Sequence, residues 1–281
     1  MDIQLIAMDL DGTALCPDHA SFTPRLEAAL LEAHRRGVSI VPATGRQYLL
    51  LPPPIQAMPD WADLVVLCNG AEVRRLRTGE IVSAHYMAAE ELAPLIRAAE
   101  QLDIPIELSV GGTLHLTQAC LDRERTIEGL RFHLSVLEQR GRLVEDMESF
   151  AAGAGRVFEK ANLLGVTPAV WKELSPVLET LPLSYAWATS ASLEVTCRAA
   201  TKAEGIRTVC RLLGVDMAHV MALGDSGNDI SSLTAAGLGV AMGSAPAEVK
   251  AAADAVTASN AEDGAALAIE RYVLGRETAS L

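Results

Sequence analysis

The sequence predicts an α/β fold, built on a parallel sheet, with a second α/β domain inserted into it. Apolar runs of strand length alternate with amphipathic helical segments at both ends of the chain. Acidic or amide residues follow directly on several of these runs. Between residues 85 and 192 the pattern changes to hairpin-like pairs and helices. We therefore expect a core of residues 1–84 and 193–281 and an inserted domain of residues 85–192.

The first predicted strand, residues 3–8, ends at two acids and a glycine. Asp9 and Asp11 are two residues apart, so both leave the strand end on the same side. Two ionised carboxylates so close favour a nearby cation, and their oxygens suit Mg²⁺ completed by phosphate oxygens. Gly12 permits a sharp turn whose amides can hold a phosphate. An Asx turn with two solvated acids explains the stretch equally well.

A helix over residues 24–37 and a strand at residues 38–43 follow. Strand, helix and strand at this spacing form a βαβ unit, whose crossover brings both strand ends to one sheet edge. Ligands bind at that edge in open α/β sheets, so Thr44 and Arg46 should face the same crevice as the first acids. An ordinary strand-to-helix turn is the alternative interpretation of Thr44-Gly45-Arg46.

The remaining core strands are predicted from five further apolar runs. They cover residues 64–68, 193–196, 220–223, and the short pair 239–243 and 255–257, and a final helix follows residue 264. The run at 64–68 ends in Asn69-Gly70, and the run at 220–223 enters Gly224-Asp225-Ser226-Gly227-Asn228-Asp229. Polar loops at so many strand ends are not expected by chance. Lys202 opens a helix, where an isolated lysine is usually solvated.

The inserted domain is predicted to mix helices and strands. Its elements are a helix at 88–101, a hairpin of 106–110 with 113–117, a helix near 126–140, strands at 157–164 and 183–188, and a helix at 168–180.

Composition narrows the function classes. The chain has 281 residues, half of them hydrophobic, without an apolar run of membrane-spanning length or the basic flank of a signal peptide. Five cysteines without paired spacing argue against a disulfide framework or a zinc site and favour a reducing cytoplasm. The formal charge of −13 disfavours nucleic acid or an anionic membrane as a partner. An anionic substrate would need local cations.

Taken together, the motifs resemble those of haloacid dehalogenase superfamily phosphatases. The four family motifs occur in order as Asp9-Leu10-Asp11-Gly12-Thr13, Thr44-Gly45-Arg46, Lys202 and Gly224-Asp225-Ser226-Gly227-Asn228-Asp229. The resemblance covers essentially the whole chain and is closest to the Cof-like subgroup, type IIB. It implies a Rossmann-like core with an inserted α/β cap, which would serve recognition and gating rather than chemistry.

The resemblance also implies roles for individual residues. Asp9 would be the nucleophile, and Asp11 would protonate the leaving group and later deprotonate water. Mg²⁺ would be held by Asp9, the backbone carbonyl of Asp11 and Asp225, with Asp229 in support. The residues implied for phosphate and substrate are Lys202, Thr44, Gly45, Arg46, Asn69 and Asn228.

The expected function is Mg²⁺-dependent hydrolysis of small phosphorylated metabolites such as sugar phosphates. A phosphomutase of the same superfamily is one alternative, and a catalytically silent protein that binds a metabolite or partner is another. A silent descendant would be expected to lose Asp9, Asp11 or Lys202, and all three are present. The fold does not fix the substrate, so the substrate class follows from the resemblance alone.

Overall fold

The computed structural model describes residues 2–128 and 130–276 and divides the chain into two compact units. The core unit contains Met1–Arg46, Leu50–Ala84 and Thr201–Leu281, and the inserted unit contains Gln47–Leu49 and His85–Ala200. The predicted α/β fold with an inserted α/β segment is confirmed. Residues 277–281 of the predicted core lie outside the described residues.

The described residues form sixteen strands and eleven α-helices, besides six short segments of other helical types. In chain order the strands are β1 (Leu5–Met8), β2 (Ser39–Pro42), β3 (Leu64–Leu67), β4 (Glu72–Arg75), β5 (Ile81–Ala84), β6 (Met87–Ala88), β7 (Ile106–Val110), β8 (Thr113–Thr117), β9 (Arg142–Val144), β10 (Val157–Phe158), β11 (Lys160–Leu164), β12 (Leu183–Thr189), β13 (Ser192–Cys197), β14 (Val220–Gly224), β15 (Leu238–Ala241) and β16 (Ala255–Val256). The helices are α1 (Pro24–Arg35), α2 (Pro53–Gln56), α3 (Ala89–Gln101), α4 (Gln118–Glu124), α5 (Arg131–Arg140), α6 (Met147–Ala151), α7 (Pro168–Thr180), α8 (Lys202–Leu213), α9 (Ile230–Ala235), α10 (Ala247–Ala251) and α11 (Gly264–Tyr272).

The core unit is built on a five-stranded sheet of order β16-β15-β14-β1-β2 in which every pair is parallel. Strands β1 and β14 are buried along their whole length, as the near-continuous apolar runs of a parallel sheet require. Because the strands are parallel, the loops after β1, β2 and β14 leave from the same edge. That edge therefore collects the polar residues that follow these strands.

Strand β3 belongs to a separate antiparallel sheet with β4 and β5. It touches the core sheet through a single parallel bridge between Ala43 and Val66, with the Thr44 amide donating to the Val66 carbonyl at 2.9 Å. Pro42 explains the short contact, because it has no N–H to extend a ladder on the side facing β3. The bridge still brings the loop after β3 beside the loop after β2.

The inserted unit contains a six-stranded sheet of order β12-β13-β11-β7-β8-β9, antiparallel except between β8 and β9. Alternate residues of β7 point to opposite faces. Ile106 and Leu108 belong to the apolar core, whereas Glu107 lies opposite Asn162 of β11 on a buried polar face. Asn162 in turn lies opposite Glu194 of β13. One face of this sheet thus carries a row of buried polar side chains.

Two details differ from the sequence-based expectation. Strand β13 pairs with β11 and β12, so the chain returns to the core unit at Thr201 rather than at residue 193. Alternating apolar residues indicate a strand but not which sheet it joins, and this accounts for the displaced boundary. The helix expected near 126–140 begins at Arg131, after a separate helix α4, and residue 129 lies outside the described residues.

Two further observations concern the cysteines and the apolar character of the helices. All five cysteines are free thiols. Within residues 2–128 and 130–276, no helix combines the length and the apolar character that crossing a bilayer would require.

Candidate active site

The loop after β1 places Asp9 at the sheet edge with its side chain almost fully buried. The Asp9 amide donates to the carbonyl of Leu223 in β14 at 3.0 Å, which fixes the backbone at this point. Gly12 has a φ of +76°, and a Cβ there would lie 2.3 Å from Oδ2 of Asp225. Glycine is therefore required twice, by the turn and by this close approach. The adjacent Thr13 hydroxyl donates to Oδ1 of Asp225 at 2.8 Å.

Lys202, the first residue of α8, is fully buried between two carboxylates. Its Nζ donates to Oδ1 of Asp9 and to Oδ1 of Asp229, both at 2.6 Å. Burial alone would lower the pKa of Lys202, but the charges of Asp229 and Asp9 and their hydrogen bonds raise it above its usual value. The side chain is thus a buried cation of the site, not a solvated lysine at a helix start.

Asp229 anchors the loop that follows β14. Its Oδ2 accepts hydrogen bonds from the amides of Asp225 at 3.0 Å and Ser226 at 3.1 Å, while Oδ1 accepts from Lys202. A Cβ at Gly224 would lie 2.3 Å from the Asp229 carboxyl carbon, so the strand end leaves room only for glycine. Because both oxygens of Asp229 already accept strong donors, its first effect is to hold the loop and Lys202 in place.

Three carboxylates converge here against one lysine. Asp9, Asp225 and Asp229 each offer an oxygen, and these three atoms all lie within 4.8 Å of one another. Burial raises the pKa of Asp9 well above its usual range; Lys202 partly offsets this and Asp229 adds to it. Burial and Asp229 together raise the pKa of Asp225 to about 7. A divalent cation fits this all-oxygen donor set and would offset the surplus negative charge.

Asp11 stands apart from the three carboxylates and is held by Arg46. The guanidinium contacts it through two hydrogen bonds, Nε to Oδ2 at 2.7 Å and Nη2 to Oδ1 at 2.6 Å. Nδ1 of His19 lies 2.8 Å from Oδ1 as well. Burial would raise the pKa of Asp11, but the hydrogen bonds from Arg46 and His19 outweigh it and lower that pKa to about 2.

Arg46 is also fixed by backbone oxygens, since it donates to the carbonyls of Leu50 at 3.1 Å and His19 at 3.0 Å. Sequence reasoning placed Arg46 at the crevice but did not identify Asp11 as its partner. It missed His19 altogether, because that residue belongs to an irregular loop without a periodic pattern. Thr13 was identified as a motif residue, but its bond to Asp225 was not predicted.

The remaining predicted residues surround the same edge. Thr44 is buried, and its Oγ1 accepts the Arg46 amide at 3.1 Å. Asn69, with a left-handed φ of +57°, donates its amide to the Thr44 carbonyl at 3.1 Å and accepts the Asn228 amide group at 3.1 Å. Gly45 lies between Thr44 and Arg46. The roles predicted for these residues remain predictions, but the chain does bring them together.

The loop after β3 also contacts the start of α8. Gly70 has a φ of +100°, and a Cβ there would lie 2.0 Å from the carbonyl oxygen of Thr201. This approach requires glycine and packs the Asn69 loop beside Lys202. Every predicted site residue therefore lies in the core unit, on loops that follow its strands or, for Lys202, at the start of α8.

Comparison with known proteins agrees with this arrangement. Residues 6–269 match the family described as haloacid dehalogenase-like hydrolase. The chain is 29% identical over 287 residues to the putative phosphatase YxeH of Bacillus subtilis, covering 97% of this chain and 99% of that protein. It is 27% identical over 280 residues to the pyridoxal phosphate phosphatase YbhA of Escherichia coli, covering 98% of this chain and all of that protein.

Among solved structures, the chain is similar to the sugar phosphatase BT4131, described as a subclass IIB member of the haloacid dehalogenase superfamily. The two share 26% identity and a TM-score of 0.82, over 96% of this chain and 98% of the other. The similarity covers both units, and the site motifs stand at the strand ends where they were expected. The chain belongs to the haloacid dehalogenase-like hydrolases, and within them it is a Cof-like, type IIB phosphatase.

Proposed function

We propose that this protein is a Mg²⁺-dependent phosphatase that hydrolyses monoesters of small phosphorylated metabolites through an aspartyl-phosphate on Asp9. The observation that carries the proposal is the buried Lys202, bonded to Asp9 and Asp229 beside a cluster of three carboxylates. This arrangement has an ordered nucleophile, a fixed positive charge and oxygen ligands for a hard cation in one place.

Asp9 is the proposed nucleophile. Lys202 fixes one of its oxygens, and attack on phosphorus forms a bond from Asp9 to phosphorus while the bond to the leaving oxygen breaks. Water then attacks the phosphorus, which releases inorganic phosphate and regenerates the Asp9 carboxylate. A Mg²⁺ ion held by Asp9, Asp225 and the backbone carbonyl of Asp11, with Asp229 in support, would neutralise charge on the phosphoryl oxygens.

Asp11 is the proposed acid and base, and Arg46 positions it. The ionised form that Arg46 stabilises is the one that accepts a proton from the attacking water. Donation to the leaving oxygen requires a protonated carboxyl, which loosening of the Arg46 contact would favour. We therefore assign Arg46 the role of positioning Asp11, rather than that of binding the substrate directly.

The phosphoryl group of the substrate would be bound by Lys202 and Thr44. The Thr44 hydroxyl accepts the Arg46 amide, and its own hydrogen remains able to donate to a phosphate oxygen. Gly45, Asn69 and Asn228 would line the same loops. Activity toward small metabolites is supported by the relatives, which are described as acting on pyridoxal phosphate and sugar phosphates. Recognition of the remainder of the substrate is assigned to the inserted unit.

The proposal is tested by measuring phosphate release from a panel of sugar phosphates, pyridoxal phosphate and p-nitrophenyl phosphate. Turnover should require Mg²⁺ and stop in excess chelator. Ca²⁺ should not replace Mg²⁺, because the larger ion takes more oxygens and can bind Asp9 through both of its oxygens. Full activity in chelator would refute the metal requirement, and failure on every ester would favour a mutase or a non-catalytic role.

A further inference from the structure

The inserted unit contains a second group of metal-type side chains, remote in sequence from every active-site motif. Glu107 of β7, Glu124 at the end of α4 and His133 of α5 each offer one ligand atom, and these atoms all lie within 4.8 Å of one another. No family motif identified these residues. Their approach results from the packing of α4 and α5 against the sheet that contains β7 and β8.

Glu107 is well satisfied although its side chain is completely buried. Nε2 of His133 lies 2.7 Å from Oε1, and the amide nitrogen of Asn162 donates to Oε2 at 2.7 Å. Both oxygens of Glu107 therefore have partners. The arrangement also fixes the imidazole of His133 against β7.

Glu124 is different. Its side chain is also completely buried, yet neither of its oxygens has a hydrogen-bond partner among the described residues. Its Oε2 lies 3.9 Å from Nε2 of His133, which is too long for a hydrogen bond. Oδ1 of Asn162 likewise lacks a partner in the described part of the chain. Burying an unpartnered carboxylate is costly, so such a group indicates a missing ligand.

The local charges point to a cation. Two buried carboxylates share one imidazole, and Lys160, whose charge also reaches His133, is paired with Glu194. A proton on Glu124 would cancel its charge but leave its second oxygen without a donor. A metal ion would satisfy both carboxylates and the imidazole together.

We propose that Glu107, Glu124 and His133 form a binding site for a divalent transition-metal ion. One imidazole nitrogen with carboxylate oxygens suits Zn²⁺, Co²⁺ or Mn²⁺ better than Mg²⁺, which prefers oxygen ligands alone. The ion would join β7, α4 and α5 and so order this part of the inserted unit. The site is independent of the phosphatase mechanism, since none of the three residues belongs to it.

The test titrates Co²⁺ into full-length protein freed of metal with a chelator. Wild type should bind two equivalents, and Asp225→Ala, which weakens the core site, should retain one. That retained ion should give a paramagnetically shifted imidazole resonance, because the three core carboxylates include no histidine. Glu124→Gln and His133→Asn should each bind Co²⁺ at this site at least about tenfold more weakly and lose the resonance.

Matched controls use residues outside the cluster. Glu138→Gln removes an exposed carboxylate from the same helix as His133, and His85→Asn removes an exposed imidazole of the inserted unit. Both should bind Co²⁺ as wild type does. Circular dichroism of each metal-free variant checks folding, and His133→Asn changes a side chain that is already about a quarter exposed.

The expected result also includes a rise in the unfolding temperature of Asp225→Ala on adding Zn²⁺, absent after the further change Glu124→Gln. The proposal is overturned if Asp225→Ala binds no Co²⁺. It is equally overturned if binding in that background is unchanged by both Glu124→Gln and His133→Asn. Neither outcome bears on phosphate release, so the proposed function stands or falls separately.

Discussion

The molecule contains two clusters of buried acids, and they are stabilised differently. In the core unit, Asp9 and Asp229 accept hydrogen bonds from Lys202, and Asp225 accepts one from Thr13. In the inserted unit, Glu107 has two partners but Glu124 has none among the described residues. The core cluster is ordered by donors from its own chain. The second leaves one carboxylate for an external ligand to satisfy.

The difference shows how a protein can keep several acids together. A buried lysine, a hydroxyl and backbone amides hold the core carboxylates in a fixed arrangement. Within the described part of the inserted unit, Glu124 has no equivalent donors, so the stability of this unit should depend on conditions that change the charge of Glu124. Four experiments can test this contrast.

The largest effect is expected for Asp9→Asn. An amide oxygen is a poor nucleophile, so phosphate release should fall by about 10⁴-fold or more. The circular dichroism spectrum should stay that of wild type. Asp63→Asn, which changes an exposed acid paired with Arg75, is the matched control and should keep full activity. Substantial turnover by Asp9→Asn would exclude the aspartyl-phosphate mechanism.

The second effect concerns the buried lysines. Lys202→Met leaves Asp9 and Asp229 without their shared cation, so the free energy of unfolding should fall by about 3–5 kcal/mol. Activity should be lost as well. Lys160→Met in the inserted unit is the comparison, because this lysine is also buried and pairs with Glu194. Urea denaturation measures the free energy of unfolding of both variants. A larger fall for Lys160→Met than for Lys202→Met would contradict the special role of Lys202.

The third effect is a pH dependence of stability in chelated protein. Burial and the charge of Glu107 raise the pKa of Glu124 to about 8, from an ordinary value of 4.5. The folded state then binds the proton more tightly than the unfolded state. The contribution of Glu124 to stability should therefore be fully present below pH 4.5 and be lost as the pH rises through 8.

Glu124→Gln removes this titration, so the variant should lose less stability than wild type over the same range. Glu138→Gln should follow the wild-type curve. Urea denaturation at several pH values in excess chelator makes the comparison. Identical slopes for wild type and Glu124→Gln would contradict the view that Glu124 is a buried, uncompensated acid.

The smallest effect is expected for Arg46→Lys. A single ammonium cannot reproduce the two parallel hydrogen bonds to Asp11, so kcat for an alkyl phosphate should fall about tenfold. The loss should be smaller for p-nitrophenyl phosphate, whose leaving group needs no proton. Single-turnover rates compare the two esters. Equal losses would indicate that Arg46 acts on the phosphoryl group instead of on Asp11.

The core site could be predicted from the sequence because its residues occupy short stretches at strand ends. Parallel strands bring their carboxyl ends to one edge of the sheet, so motifs that follow different strands lie close together in space. The loop after β3 shows the limit of this argument. Pro42 prevents a full ladder, so β3 joins the core sheet through one bridge, and backbone hydrogen bonds such as that from the Asn69 amide to the Thr44 carbonyl hold its loop in place. The bond between Arg46 and Asp11 could not be predicted, because side-chain reach is not encoded in strand order.

The second cluster could not be predicted for a related reason. Glu107, Glu124 and His133 are carried by one strand and two helices, whose packing no local pattern specifies. The one signal available was Glu107, an acid inside an apolar strand pattern. That pattern is equally consistent with an exposed residue. The assignment of β13 failed similarly, because alternation identifies a strand without naming its neighbours.

The central position of β1 affects how slowly the backbone at the active site opens. This strand is flanked by β14 and β2, and both the Asp9 amide and the Met8 carbonyl are held by those neighbours. Amide hydrogens in central, doubly paired strands exchange through larger openings than those in loops. We therefore expect the amide of Asp9, the proposed nucleophile, to exchange as slowly as those of the central strands. On heating, we expect activity to persist until that unit itself unfolds.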